Sequence, residues 1–442
     1  MAFMLRALRY RNYKLFFFGQ GLSLIGSWLT TTATSWLVYR LAQGNPLVRA
    51  AMVLGVVRFA GQIPMFLTTP IAGVLVDRWD RHRVIVVTQI LSLIQSGLLA
   101  ALTLAHKITV PQLVWLNVFQ GFINAFDAPA RQAFVVEMIE RREDLPNAIA
   151  LNSSMFNGAR LLGPAIAGII IAATSEGICF AIDTVSYLAV IVALLLMHVN
   201  RSAKPIERKH PLRELHEGFK YAFGFRPVRA ILLLAGIVSL AVSAYQTLLP
   251  LFVDHLQKQD HGARVFGYLG TAIGIGALAG AIYLASRRSI VGLGRIIAIS
   301  GFITGVSMIG FAYAHMLWLG LMLAAISGLG TIISFAAGNT MLQAIVDDHM
   351  RGRLMSFYIM AVMGTAPLGS LVAGWLATPD RLGESLTVAI SGLISIAASV
   401  FFILKLKMLR QLVRPIYVKK GIIPEVATAL QTSNVVSTPP EQ

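Results

Sequence analysis

Twelve mostly apolar runs follow one another along the chain, each near the roughly 20 residues a helix needs to cross a bilayer. In the first half they lie near 15–39, 50–76, 84–106, 111–130, 147–174 and 177–198. In the second half they lie near 228–253, 265–286, 294–313, 315–340, 354–378 and 383–404. The longest polar interruption, RSAKPIERKHPLRELHEGFK, separates the sixth run from the seventh. The pattern predicts an all-α membrane protein with twelve transmembrane helices in two pseudo-symmetric six-helix bundles around a central cavity. Residues 1–200 and 225–410 are the expected bundles, 201–224 a basic cytoplasmic linker, and 411–442 a disordered cytoplasmic tail. The start, MAFMLRALRYRNYKLFFFGQ, lacks a short apolar core with a small-residue cleavage site and reads as an uncleaved first span.

Composition removes the competing classes. Of 442 residues, 56% are hydrophobic and 13% charged, about half the charge density of a soluble domain. A large soluble enzyme is thereby excluded. Cys179 is the single cysteine, so there is no internal disulfide and no Cys-rich metal or iron–sulfur site. No cofactor and no metal are expected, and no catalytic residue is assigned.

A net charge of +17 would suit a nucleic-acid surface if the bases shared one soluble face. They do not. With the amino terminus placed inside, 29 of the 37 Lys and Arg fall on the cytoplasmic side, 6 outside and 2, Arg58 and Arg160, within spans. This is a positive-inside distribution. It predicts both termini in the cytoplasm and no nucleic-acid partner.

Polar side chains recur inside the spans. In span 4, Asn117, Gln120, Asn124 and Asp127 occupy one helical face. Span 1 has Ser23, Ser27, Thr30, Thr31 and Thr34; span 7 has Ser239, Ser243 and Gln246; span 10 has Ser327, Thr331 and Ser334. Spans 1, 4, 7 and 10 are therefore expected to line the cavity, although span 3 also carries Thr88, Ser92 and Gln95. At about 1.5 Å per residue, Asp127 and Arg160 lie at similar depths, roughly 24 and 21 Å from the outer surface. They are expected to form a buried pair, either structural or coupled to protons or substrate. Asp183 and Arg58 lie at shallower, similar levels, a second possible pair if spans 2 and 6 are neighbours.

Other motifs have ordinary readings. His255 and Asp260, with Asp254 and His261, fall in a short outer loop and read as solvated residues, not as an acyltransferase or metal site. GYLGTAIGIGALAG in span 8 places Gly270 with Gly274 and Gly276 with Gly280, a spacing for close helix packing and not for phosphate binding. The halves look like a repeat: 126–168 and 335–374 each pass from a small-residue helix end through a charged loop into a Gly/Pro-containing span, GPAIAG in one and APLGSLVAG in the other.

The loop GVLVDRWDRHRVIV resembles the signature between spans 2 and 3 of the major facilitator superfamily. Span 5, ARLLGPAIAG, resembles the Gly-Pro motif of its exporters, with Gly163, Pro164 and Gly168 matching. With DAPARQAF, DLPNAIALN and DTVSYL, the sequence resembles the exporter branch that includes enterobactin exporters and transmembrane secretion effectors. The resemblance implies that Gly73, Asp77, Arg78 and Arg81, with Arg131 nearby, gate the cytoplasmic side. Asp80 departs from the pattern, which has glycine there. It further implies proton-driven efflux of a small amphiphilic molecule, siderophore or drug-like, by a monomer in the bacterial inner membrane, with small molecule, protons and lipids as partners. An importer or lipid flippase on the same fold is the alternative, and a membrane-bound enzyme a weaker one. Proton or substrate candidates are Arg58, Asn117, Gln120, Asn124, Asp127, Arg160, Asp183 and Gln246.

Overall fold

Polar and apolar residues have changed places relative to a water-soluble protein. Gln89, Ser92, Gln95 and Asp183 are buried, while Trp115, Leu404 and Leu195 face outward at 72%, 73% and 67% exposure. An outer surface of this kind suits lipid and not water.

The computed structural model describes residues 5–43, 49–197, 223–256, 262–287, 289–346 and 348–419. Among them there is no strand. The long helices are α1 (Arg11–Gln43), α2 (Ala50–Arg78), α3 (Arg81–Leu104), α4 (Val110–Glu137), α5 (Leu145–Ala173) and α6 (Glu176–Leu195). They continue as α7 (Arg226–Leu248), α8 (Gly262–Ala285), α9 (Leu293–Ala312), α10 (Leu317–Ile345), α11 (Asp348–Leu376) and α12 (Gly383–Lys419). The linker at 201–222 lies outside the described residues. Residues 411–419, expected in a disordered tail, instead continue α12.

Ten of the helices are long and apolar enough to cross a membrane, which makes the chain a multi-pass membrane protein. The two that fall short are α1 and α4, both of which carry polar stripes.

Local chemistry sets the ends. Thr109 opens α4 with a reciprocal cap: its backbone N–H donates to Gln112 Oε1 at 2.9 Å while its side chain accepts from the helix. Asp80 caps α3 by accepting from the Arg83 N–H at 3.1 Å.

In the first half α1 packs on α5 and α6, α3 joins α6 to α4, and α4 lies along α2. The second half repeats the scheme: α7 packs on α11 and α12, α9 joins α12 to α10, and α10 lies along α8. The most extensive contacts between the halves are α2 with α11 and α5 with α8.

Glycine permits both of those approaches. A Cβ built on Gly55 of α2 would stand 2.7 Å from the Ser370 carbonyl oxygen and 2.9 Å from the Gly374 Cα of α11. One built on Gly168 of α5 would stand 2.8 Å from the Ala263 carbonyl oxygen and 2.9 Å from the Gly267 Cα of α8. Backbone therefore touches backbone at each crossing.

Candidate functional site

A cavity of about 280 Å³ opens among α1, α2, α3, α4 and α6, with Thr247 of α7 on its far wall. Arg58 and Gln62 enter from α2, Gln95 from α3, and Asn117, Gln120 and Asn124 from α4. Thr30, Thr31 and Thr34 come from α1, and Asp183 and Tyr187 from α6. Val38, Leu54, Val57 and Leu99 supply apolar wall.

Two charges face this space without pairing to each other. Arg58 donates to Gln246 Oε1 at 3.0 Å, tying α2 to α7. Asp183 accepts from Thr30 Oγ1 at 2.7 Å and from Ser96 Oγ at 3.2 Å. Among the described residues Asp183 has no cationic partner. Depth alone did not make α2 and α6 neighbours, so the Arg58–Asp183 pairing is corrected: each charge meets neutral groups first.

Asp127 is likewise not the partner of Arg160. Arg131, one turn along α4, takes it, with Nε donating at 2.9 Å. Thr88 and Gln89 of α3 donate to the same carboxylate at 2.8 and 2.9 Å, and Arg131 also reaches Gln20 of α1. The physical reason is lateral: α4 packs on α2 and α3 and only slightly on α5. Arg160 is half-buried on α5, with no carboxylate at ion-pair distance among the described residues.

Gln120 donates to Ser92 at 3.3 Å and Asn124 at 3.0 Å, so the polar stripe of α3 meets that of α4. Thr88, Ser92 and Gln95, outside the expected order of lining spans, thus belong to the same polar network. Gln89, Gln20 and Tyr187 join it without a sequence pattern that singles them out, although Gln89 lies about one turn from Ser92 on the same helix.

The expected hydroxyl stripes of spans 7 and 10 do not line this cavity. Ser239 donates to the Val362 carbonyl, and Ser243 meets Ser370 at 2.7 Å, both joining α7 to α11. Ser327, Thr331 and Ser334 are buried elsewhere. Small hydroxyls at helical spacing serve helix packing as readily as a cavity.

At the end of α2, Arg78 is exposed. Arg81 pairs with Glu137 of α4. The side chain of Asp77 lies outside the described residues. Gly73 is not a close-approach position: a Cβ there meets no atom within 4 Å. Asp80 replaces the glycine of the family pattern without strain, because its φ of −66° is open to any residue and its side chain caps α3.

Gly163, Pro164 and Gly168 mark the inward side of α5. Gly163 abuts Trp28 of α1, while Pro164 and Gly168 meet α8. The glycines of α8 divide by face. Gly270 and Gly274 press on Pro164 and Leu161 of α5, whereas Gly276 and Gly280 press on Ala325 and Leu329 of α10.

Beyond α7, Asp254 accepts from Tyr39 at 2.5 Å and Gln43 at 3.2 Å, both of α1. Arg49 pairs with Asp380 at 2.8 Å, so polar contacts join the halves at this end. His255 stands 3.4 Å from Glu384; Asp260 and His261 lie outside the described residues. Among the described residues, no three His, Cys, Asp or Glu are grouped to hold a metal ion.

Comparison with known proteins agrees with this architecture. The staphyloferrin A transporter of Staphylococcus aureus is 25% identical over 394 residues, covering 88% of this chain and 95% of its own. The multidrug efflux pump Tap of Mycolicibacterium fortuitum is 25% identical over 80% of this chain and 86% of its own. The enterobactin exporter EntS of Escherichia coli is 25% identical over 78% and 82%. Among solved structures, the POT family transporter PepTSo superposes with a TM-score of 0.71 at 13% identity, covering 91% of this chain and 99% of its own. The nucleoside transporter NupG gives 0.68 at 14%, with the same coverage. These structures share the fold. The family model for transmembrane secretion effectors matches residues 4–431; the chain belongs to that family and is a transporter of the major facilitator type.

Proposed function

We propose that the protein exports small amphiphilic molecules, siderophore or drug-like, across the bacterial inner membrane by alternating access, driven by proton entry. In this reading the twelve long helices are twelve spans, arranged as two six-helix bundles with both termini cytoplasmic. The transporter acts as a monomer. α1 and α4 count as spans because their polar groups turn toward the cavity and toward α3, away from lipid.

The observation that carries the reading is the composition of the cavity. It combines one cation, Arg58, one carboxyl without a cation, Asp183, several amides and hydroxyls, and apolar wall from Leu54, Val57 and Leu99. Such a surface accepts a molecule with both polar groups and an apolar body. A carboxyl inside the membrane domain changes the charge of its site when it gains or loses a proton. Asp183 is better placed for that role than Asp127, whose charge Arg131 already balances. The paired glycine crossings, α2 with α11 and α5 with α8, support rocking of one half on the other. The names of the relatives, for staphyloferrin A, enterobactin and multiple drugs, support the cargo class.

Inverted membrane vesicles test this. With an acidified interior, an amphiphilic dye is expected to accumulate, and a protonophore to abolish the accumulation. Uptake confined to whole cells would oppose export, and accumulation indifferent to the protonophore would oppose proton coupling.

A further inference from the structure

Away from the cavity, the start of α9 and the far end of α12 enclose an open groove of about 650 Å³. Arg295, Lys407, Arg410 and Arg414 line it together with Ile299 and Ile403. On α9 the two lining positions are four apart, and on α12 Ile403, Leu406, Lys407, Arg410, Gln411 and Arg414 follow at steps of three, one, three, one and three. Each set is therefore one helical face.

The cations are exposed and unopposed. Among the described residues none of the four side chains makes an ion pair or a hydrogen bond, and no carboxylate lines the groove. Like charges are held together here without a partner, which disfavours the empty groove. The apolar walls are open as well, with Ile299 at 44% and Ile403 at 40% exposure.

The groove is also polarised along its length. Ile403 and Arg414 are eleven residues apart, roughly 16 Å along α12. At 37 residues, α12 reaches about 55 Å, well beyond a hydrocarbon core of about 30 Å. With its apolar run ending near 404, the basic turns that follow are placed at headgroup level, with Ile403 nearer the acyl region.

We propose that this groove binds an anionic phospholipid, its phosphate among Arg295, Lys407, Arg410 and Arg414 and an acyl chain against Ile299 and Ile403. The unopposed cations select a net negative headgroup over a zwitterionic one, which brings its own ammonium. The apolar wall selects a lipid over a free anion. Bound there, the lipid clamps α12 to α9 at one face of the second half.

The test uses the purified full-length protein, with phosphatidylglycerol, phosphatidylethanolamine and inorganic phosphate as probes and native mass spectrometry as readout. The wild type is expected to retain phosphatidylglycerol over phosphatidylethanolamine. The combined Arg295→Ala, Arg410→Ala and Arg414→Ala variant should weaken phosphatidylglycerol binding about a hundredfold, and the single Arg410→Gln about fivefold. Lys405→Ala should change nothing, because Lys405 lies outside the groove, over the Phe401 ring at 5.6 Å. Equal retention of both lipids, an undiminished signal in the single and combined variants, or an equal loss in Lys405→Ala overturns the proposal. So does inorganic phosphate binding as well as the lipid, the mark of a free-anion site.

Discussion

Gly168 of α5 and Gly267 of α8 meet so closely that a Cβ on either would stand 2.9 Å from the Cα of the other. The same geometry recurs between Gly55 of α2 and Gly374 of α11, at 2.9 and 2.8 Å. In all four cases a carbonyl oxygen of the facing helix lies 2.6 to 2.8 Å from the added carbon. Because α2 corresponds to α8 and α5 to α11, one contact appears twice, once at each seam between the halves.

Backbone cannot yield as a flexible side chain can. Gly168→Ala and Gly374→Ala are each expected to lower stability by about 1–3 kcal/mol, the usual cost of overpacking, and to reduce transport. Gly73→Ala, with nothing near its added carbon, should do neither. Thermal unfolding in detergent alongside vesicle transport checks this; wild-type stability in Gly168→Ala would show that the seam is looser than described.

Asp183 and Asp127, both buried, should respond differently to neutralisation. Asp183→Asn keeps hydrogen bonding with Thr30 and Ser96 possible, so the fold is expected to stay while proton-driven efflux is lost. Asp127→Asn leaves Arg131 uncompensated and is expected to cost about 3–5 kcal/mol, as when one partner of a buried pair is removed. Measuring unfolding and protonophore-sensitive transport on both variants separates the roles. Intact proton-driven transport in Asp183→Asn would remove it from the mechanism.

Asp80 offers a test of its cap. Replacing it with alanine removes the acceptor for the Arg83 N–H and should cost about 1 kcal/mol, whereas Asp80→Gly should cost only a few tenths. Equal losses from the two substitutions would mean that the cap contributes little to α3.

At the amino terminus, Asp144 gathers Tyr10, Arg9 and Arg6. The Tyr10 hydroxyl, which donates at 2.7 Å, and then the charges of Arg9 and Arg6 hold its carboxyl below the usual range. A depressed folded pKa gives stability that is whole above the unfolded value of about 3.9 and fades as pH falls through the folded value. Proteolysis of the amino-terminal segment is therefore expected to rise only in strong acid, and Tyr10→Phe should move that rise to higher pH. Superimposable pH curves for the two proteins would count against the contact.

The order of apolar runs along the chain determined the helices, because a membrane admits few other ways to satisfy a backbone. It also determined that Asn117, Gln120 and Asn124 share one face, since helical periodicity is local. The small residues of ARLLGPAIAG told that α5 packs closely, and the structure identifies α8 as what it packs on. Which charges meet was decided only in three dimensions. Depth along a helix follows from counting residues, but lateral neighbours follow from packing, so Asp127 met Arg131 and α3 where Arg160 was expected. Ser239 and Ser243 have the spacing of cavity residues, yet they lie against α11 because of how α7 is rotated. Sequence gives each helix its polar stripe; only the tertiary structure decides whether that stripe faces a cavity, a partner helix or, at the end of α12, an open groove.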